Sequence, residues 1–155
     1  MKNKKPIKIV VDTNIVFSGI LNSTSGIGKT LINPSKHFEF YSCDFLRVEL
    51  FKHRKKILSH AKISEEELKE LESLITHNIN FINEILIPEK IIHSTELLLK
   101  DIDINDTTFV ALTILLKAKL WSGDNKLVKG LRKKNFNNLI STNELYQLLH
   151  KLEQQ

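Results

Sequence analysis

The stretch Ile7-Lys8-Ile9-Val10-Val11-Asp12-Thr13-Asn14-Ile15 decides the fold. Residues 7–11 are almost all apolar and β-branched, which suits a short strand buried in a sheet. Asp12 follows at once, with no turn residue between, and Ile15–Leu21 has the composition of a short helix. An acid that ends a buried apolar strand is costly unless something pairs with it. Strand, acid and helix in immediate succession therefore set both the architecture and the chemistry to be sought in the rest of the chain.

Outward from that stretch, the Ser- and Gly-containing residues 22–28 read as a loop and Phe38–Ser42 as a second strand. Asp44 can cap a helix running to about Leu58, with Phe45, Val48 and Phe51 on its apolar side and cations on the other. Ser64-Glu65-Glu66-Glu67 forms a capping box that opens an amphipathic helix through Leu68, Leu71, Leu74 and Ile75. Pro88 interrupts the chain, and Ser94–Lys100 resumes as helix. Asp106 or Thr107 caps a nearly all-apolar helix to Leu116. Leu120-Trp121-Ser122 is a short strand, Leu127–Lys134 a basic helix, Leu139-Ile140-Ser141 a last strand and Glu144–Leu152 a terminal helix. Strands alternating with helices predict a single α/β domain over residues 1–155, with a mainly parallel sheet and helices on both faces. Ligands of such folds bind outside the carboxyl ends of the strands.

Composition narrows the function classes. At 155 residues with 41% hydrophobic and 26% charged side chains, the chain is an ordinary globular domain with a sizeable core. The one cysteine, Cys43, excludes a disulfide framework and a cysteine-rich zinc site, and it reads as a small buried hydrophobe in a reducing, cytoplasmic setting. Phe109–Leu116 is the longest apolar run, far too short to span a bilayer. The formal net charge of +5 mildly favours a polyanionic partner.

Four carboxylates fall where the sheet would gather them. Asp12 ends the first strand, Asp124 follows the later strand at Ser122, Asp106 opens the apolar helix before it, and Glu49 sits on the helix that starts near Asp44. Four acids in one cleft repel one another and bind protons more tightly unless a cation lies among them. Mg²⁺ or Mn²⁺ is the natural choice, since hard divalent ions prefer oxygen ligands. Such an ion activates water and stabilises charge on a phosphoryl oxygen.

These segments resemble the PIN-domain nucleases. The likeness is carried by residues 9–15, by Leu46-Arg47-Val48-Glu49-Leu50, by Asp103-Ile104-Asn105-Asp106-Thr107-Thr108 and onward to Leu112, and by Leu120-Trp121-Ser122-Gly123-Asp124. It spans roughly residues 7–142. The resemblance implies a three-layer α/β/α fold and a metal-dependent endoribonuclease, often the toxin of a bacterial toxin–antitoxin pair. It further implies that Asp12, Glu49, Asp106 and Asp124 are the metal-binding and catalytic acids, in that order. Asn14 and Ser122 match the polar positions that orient ligands or water, and Asp103 matches a peripheral acid. One departure is Lys126, where many members carry a further acid, so a second metal has less support than a first. Relatives leave a 5′-phosphate and a 3′-hydroxyl, many form homodimers, and a small antitoxin protein blocks the cleft of the toxins.

Basic residues flank two of the acids. Arg47, Arg54 and Lys55 belong to the run around Glu49, and Lys126 and Arg132 follow Asp124, so an RNA backbone could lie along both. Gly26-Ile27-Gly28-Lys29-Thr30 imitates a phosphate-binding loop, but Ser23 stands where the first glycine belongs and no strand leads into it. A phosphatase with an aspartyl nucleophile at Asp12 would want a second acid at position 14, which is Asn14. An inactive RNA- or protein-binding module would have no need of four costly carboxylates.

Overall fold

The computed structural model describes residues 3–155. Five strands, β1 (Ile7–Val11), β2 (Phe38–Cys43), β3 (Ile79–Ile82), β4 (Lys119–Trp121) and β5 (Leu139–Ile140), form one sheet in the order β3-β2-β1-β4-β5. Every pairing is parallel. Helices α1 (Thr13–Leu21) and α2 (Gly26–Ile32) connect β1 to β2. Helices α3 (Phe45–Lys52), α4 (Arg54–Ala61) and α5 (Glu65–Thr76) connect β2 to β3. Helices α6 (Glu89–Leu99) and α7 (Thr107–Leu116) return the chain to β4, α8 (Asn125–Lys133) leads to β5, and α9 (Thr142–Glu153) ends the fold.

Handedness explains the layers. The chain first winds one way from β1 to β2 to β3, then jumps back across the sheet to β4 and continues to β5. Right-handed crossovers in opposite directions place their helices on opposite faces. Accordingly α1, α2 and α5 pack together, while α7 lies on β1, β2 and β4 with α6 against it. Ile9, Val10 and Val11 of β1 are fully buried, as the apolar run requires, and Phe40 and Trp121 meet across it with ring centroids 5.8 Å apart. The reversal of winding falls between β1 and β4, so the crevice at their carboxyl ends is the topological switch point where such sheets take ligands.

Several elements differ from the sequence reading. The helix expected from Asp44 to Leu58 breaks at His53 into α3 and α4. No Pro or Gly marks the break; turning there lets Ile57 reach the core and brings Arg54 within 3.8 Å of Glu65. The buried face of α3 is Leu46 and Leu50. Of the side expected to be apolar, Phe45 is half-buried, Val48 is 49% exposed and Phe51 is 73% exposed. The edge strand β3, only Ile-Asn-Phe-Ile, was not anticipated, and α6 begins at Glu89, five residues before the expected start. Residues 22–28 are a loop only as far as Ser25, whose hydroxyl accepts from the Gly28 N–H at 3.1 Å and opens α2. Cys43 is fully buried, as expected, and burial pushes its thiol up to about 12. Among the described residues no helix is long and apolar enough to cross a membrane.

The corrected face of α3 can be checked by urea denaturation. Leu46→Ala should cost about 2–5 kcal/mol, as expected for truncating a core leucine. Val48→Ala should stay within about 0.5 kcal/mol of the native chain. Equal costs would mean that α3 presents its other side to the core.

Candidate metal centre

Asp12 leaves β1 at the switch point and caps α1. Its Oδ1 accepts from the Ile15 N–H at 3.0 Å, and its own N–H donates to the Trp121 carbonyl at 3.3 Å, holding the end of β1 against the end of β4. The side chain is 5% exposed. Burial raises its pKa to about 6, with the charges of Asp124 and Glu49 adding to the rise; the Ser122 hydroxyl and the Ile15 N–H oppose it. Ser122 is itself buried, and its Oγ also accepts from the Asp124 N–H at 3.1 Å.

Asp124 caps α8 as Asp12 caps α1. Its Oδ1 accepts from the N–H groups of Lys126 (3.0 Å) and Leu127 (3.1 Å). Two strands that end side by side thus each hand a carboxylate to the start of the next helix, where the helix dipole favours negative charge. Glu49 comes from α3, which starts at the same rim just after β2. Its Oε1 accepts a 2.6 Å hydrogen bond from the Thr13 hydroxyl, directly beside Asp12.

Asp106 closes a single 3₁₀ turn, Ile104–Asp106, and precedes α7 without making a side-chain cap. Its Oδ2 is buried and has no hydrogen-bond partner. Burial is the largest cause of a pKa raised to about 7, and the charges of Asp103, Asp12, Asp124 and Glu49 all push the same way. The charges of Asp12, Asp124 and Glu49 thus all reach the Asp106 carboxyl. Asp103 itself caps the 3₁₀ turn by accepting from the Asn105 N–H at 3.0 Å.

The donor set is entirely oxygen, and a buried carboxylate oxygen without a donor is the feature a hard cation would satisfy. Among the described residues no three His, Cys, Asp or Glu side chains stand close enough to form a ready-made metal cluster. Asp12, Asp124 and Glu49 each direct one oxygen to a protein donor, whereas Asp106 Oδ2 has none.

Of the two polar positions named beside the acids, Ser122 reaches Asp12, and Asn14 stands exposed on α1. The contact that sequence reasoning missed is Thr13 on Glu49. Its only signal was a hydroxyl next to the first acid. The basic residues sort by partner. Arg47 lies over the Phe81 ring, 3.9 Å from its centroid, Arg54 pairs with Glu65, and Arg132 pairs with Glu144 at 2.7 Å. Lys55 and Lys126 are exposed and form no ion pair among the described residues.

Raised carboxyl pKa values have a stability consequence with a fixed sign. Asp12 and Asp106 hold protons more tightly in the folded chain than in the unfolded one, so their contribution to stability is fullest below about pH 4 and is lost as pH rises to about 7. In EDTA at pH 8, Asp106→Asn should therefore melt roughly 3–6 °C above the native chain. That gap should shrink toward zero near pH 4. A variant that melts lower than the native chain at pH 8 would contradict the strained state of this acid.

The PIN domain family model matches residues 10–148, from the middle of β1 into α9, and so includes all four acids. No curated protein matches the chain. PIN domains are generally nucleases and typically use Mg²⁺ or Mn²⁺. With the match covering most of its length and the sheet wound as that fold requires, the chain belongs to the PIN-domain family.

Proposed function

We propose that this chain is a divalent-metal-dependent endoribonuclease that hydrolyses phosphodiester bonds in RNA, acting as the toxin of a bacterial toxin–antitoxin pair. The observation that carries the reading is the orphaned, buried Oδ2 of Asp106, on which the charges of Asp12, Asp124 and Glu49 all bear. Asp12, Glu49, Asp106 and Asp124 would hold Mg²⁺ or Mn²⁺, which when bound activates water and offsets charge on the scissile phosphate.

The chain's own groups account for the rest. Thr13 fixes the Glu49 carboxylate and the Ile15 N–H fixes Asp12 Oδ1, so little rearrangement remains when substrate arrives. Lys126 stands two residues beyond Asp124 and Lys55 one beyond Arg54, both free to meet phosphate. The Arg132–Glu144 ion pair is half-exposed and worth little, so a phosphodiester can displace its carboxylate partner, and the long 3.8 Å contact of the mostly covered Arg54 with Glu65 is likewise weak. Stacking on Phe81 orients the Arg47 guanidinium without consuming its hydrogen-bond donors. Such contacts address the backbone rather than base edges, which suits limited sequence readout at the cleft.

The test is cleavage of a labelled single-stranded RNA with Mg²⁺ or Mn²⁺. Activity should vanish in EDTA and in Asp12→Asn. Thr13→Val should retain the fold and lose roughly 10–100-fold, the usual cost of removing a group that orients a metal ligand. Expression of the native chain alone should arrest growth, and expression of Asp12→Asn should not. Undiminished cleavage by purified Asp12→Asn would refute the proposed site. RNA binding without cleavage would leave an inactive binding module, and turnover of small phosphomonoesters would indicate a phosphatase.

A further inference from the structure

The end of the sheet opposite the acids carries a second, unlike site. A cavity of about 700 Å³ opens there between the residues leading into β1, the turn before β2 and the last turn of α9. Its cationic wall is Lys4, Lys5 and Lys36 with His37 beside them, and its apolar floor is Ile7 and Leu152. The backbone bond from the Ile7 N–H to the His37 carbonyl, 2.8 Å long, fixes one wall, and Lys4 Nζ donates to Gln155 Oε1 at 3.2 Å across the mouth. All three lysines are exposed, and none forms an ion pair among the described residues. At about 3.3 Å per residue, the five residues of β1 put roughly 17 Å between this cavity and Asp12.

Three like charges around one concavity repel one another, and a ligand anion relieves that repulsion. The apolar floor distinguishes the cavity from a simple basic patch. It offers a surface for a ring, while the Asn3 and Gln155 amides at its margin can donate to and accept from a base edge. The volume lies within the range of small-ligand sites. A phosphate bearing a flat, partly apolar group, which is a nucleotide, matches all of these features.

We propose that this cavity binds a nucleotide unit of an RNA strand, with the phosphate on Lys4, Lys5 and Lys36 and the base or sugar over Ile7 and Leu152, as an anchoring site separate from the acidic crevice. That the nucleotide comes from RNA rests on the nuclease reading above; the phosphate chemistry of the cavity does not. The anchor holds substrate at a distance from the cleavage centre, so it should affect capture of long strands and leave the chemical step alone.

Fluorescence anisotropy with a labelled 12-nucleotide single-stranded RNA tests this, in an Asp12→Asn background to prevent cutting. Lys4→Gln/Lys5→Gln/Lys36→Gln alters only exposed positions and should leave the melting temperature unchanged. It should weaken binding about tenfold and lower the slope of log K against log salt by about 0.7, the contribution of the one single-strand phosphate that the three lysines hold. A matched variant, Lys69→Gln/Lys90→Gln/Lys151→Gln, removes the same charge elsewhere and should change the slope by less than half as much. Equal effects of the two variants would overturn the anchor and leave only general attraction. A parallel thermal-shift titration with adenosine 5′-monophosphate separates the sources: stabilisation lost in the first triple variant, with no effect on the 12-mer, would assign the cavity to free nucleotides and overturn the RNA assignment. The readout is binding, so it is independent of catalysis. A native chain that binds through these lysines but never cuts would sink the nuclease reading and leave the anchor standing.

Discussion

Everything at the crevice depends on one topological fact, the reversal of winding between β1 and β4. Because every strand is parallel, their carboxyl ends lie on one rim; because the helices on either side of the reversal go to opposite faces, the ends of β1 and β4 meet at the point where such sheets take ligands. Asp12 and Asp124, about 110 residues apart in sequence, become neighbours through this arrangement alone. Each then begins a helix, which gives its carboxylate backbone donors and a favourable dipole while removing it from water. For Asp12 the desolvation outweighs those gains, and its rise from 3.8 to about 6 corresponds to about 3 kcal/mol of disfavoured charge. The fold thus gives up stability at the very place where its chemistry would be done, a pattern that recurs at functional sites.

Much of this was legible in the sequence, for identifiable reasons. The run at residues 7–11 is so uniformly β-branched that only a buried strand suits it, and the acid that follows needs a partner wherever the chain goes. The apolar residues 107–116 likewise admit only an interior helix, which is α7. Ser64 announces its helix through a side chain that accepts from the N–H three residues on, whereas Ser141, assigned from sequence to the last strand, instead caps α9. What was hidden lay in tertiary context. The break at His53 has no local mark. The face of α3 was misread because Val48 and Phe51 are apolar yet point outward, while Leu46 and Leu50 carry the burial. The strand β3 is four residues long and sits at an edge, so a period of two has hardly begun before it ends.

The candidate site shows the same division. The acids themselves could be picked out by position, but their individual states could not. Asp106 looks from sequence like a helix cap, yet makes no cap at all and leaves an oxygen buried without a donor. Thr13, overlooked beside Asn14, is the residue that steadies Glu49. The basic residues were legible only as a cluster; which of them are committed to a ring or a carboxylate and which remain available depends on Phe81, Glu65 and Glu144, from distant parts of the chain. At the far end of the sheet, the cationic cavity joins residues near both termini, a grouping that no local pattern could reveal.

The most direct test of the central claim is calorimetric titration of the protein with Mn²⁺ near pH 6.5, in two buffers of different ionisation enthalpy. If the crowded acids share a cation, binding must release protons, because Asp12 and Asp106 are partly protonated at that pH and a ligand carboxylate is not. We expect about one proton released per ion near pH 6.5, falling toward zero at pH 9, with binding lost in Asp106→Asn. Mn²⁺ binding that is absent, or that proceeds unchanged in Asp106→Asn with no proton released, would contradict it.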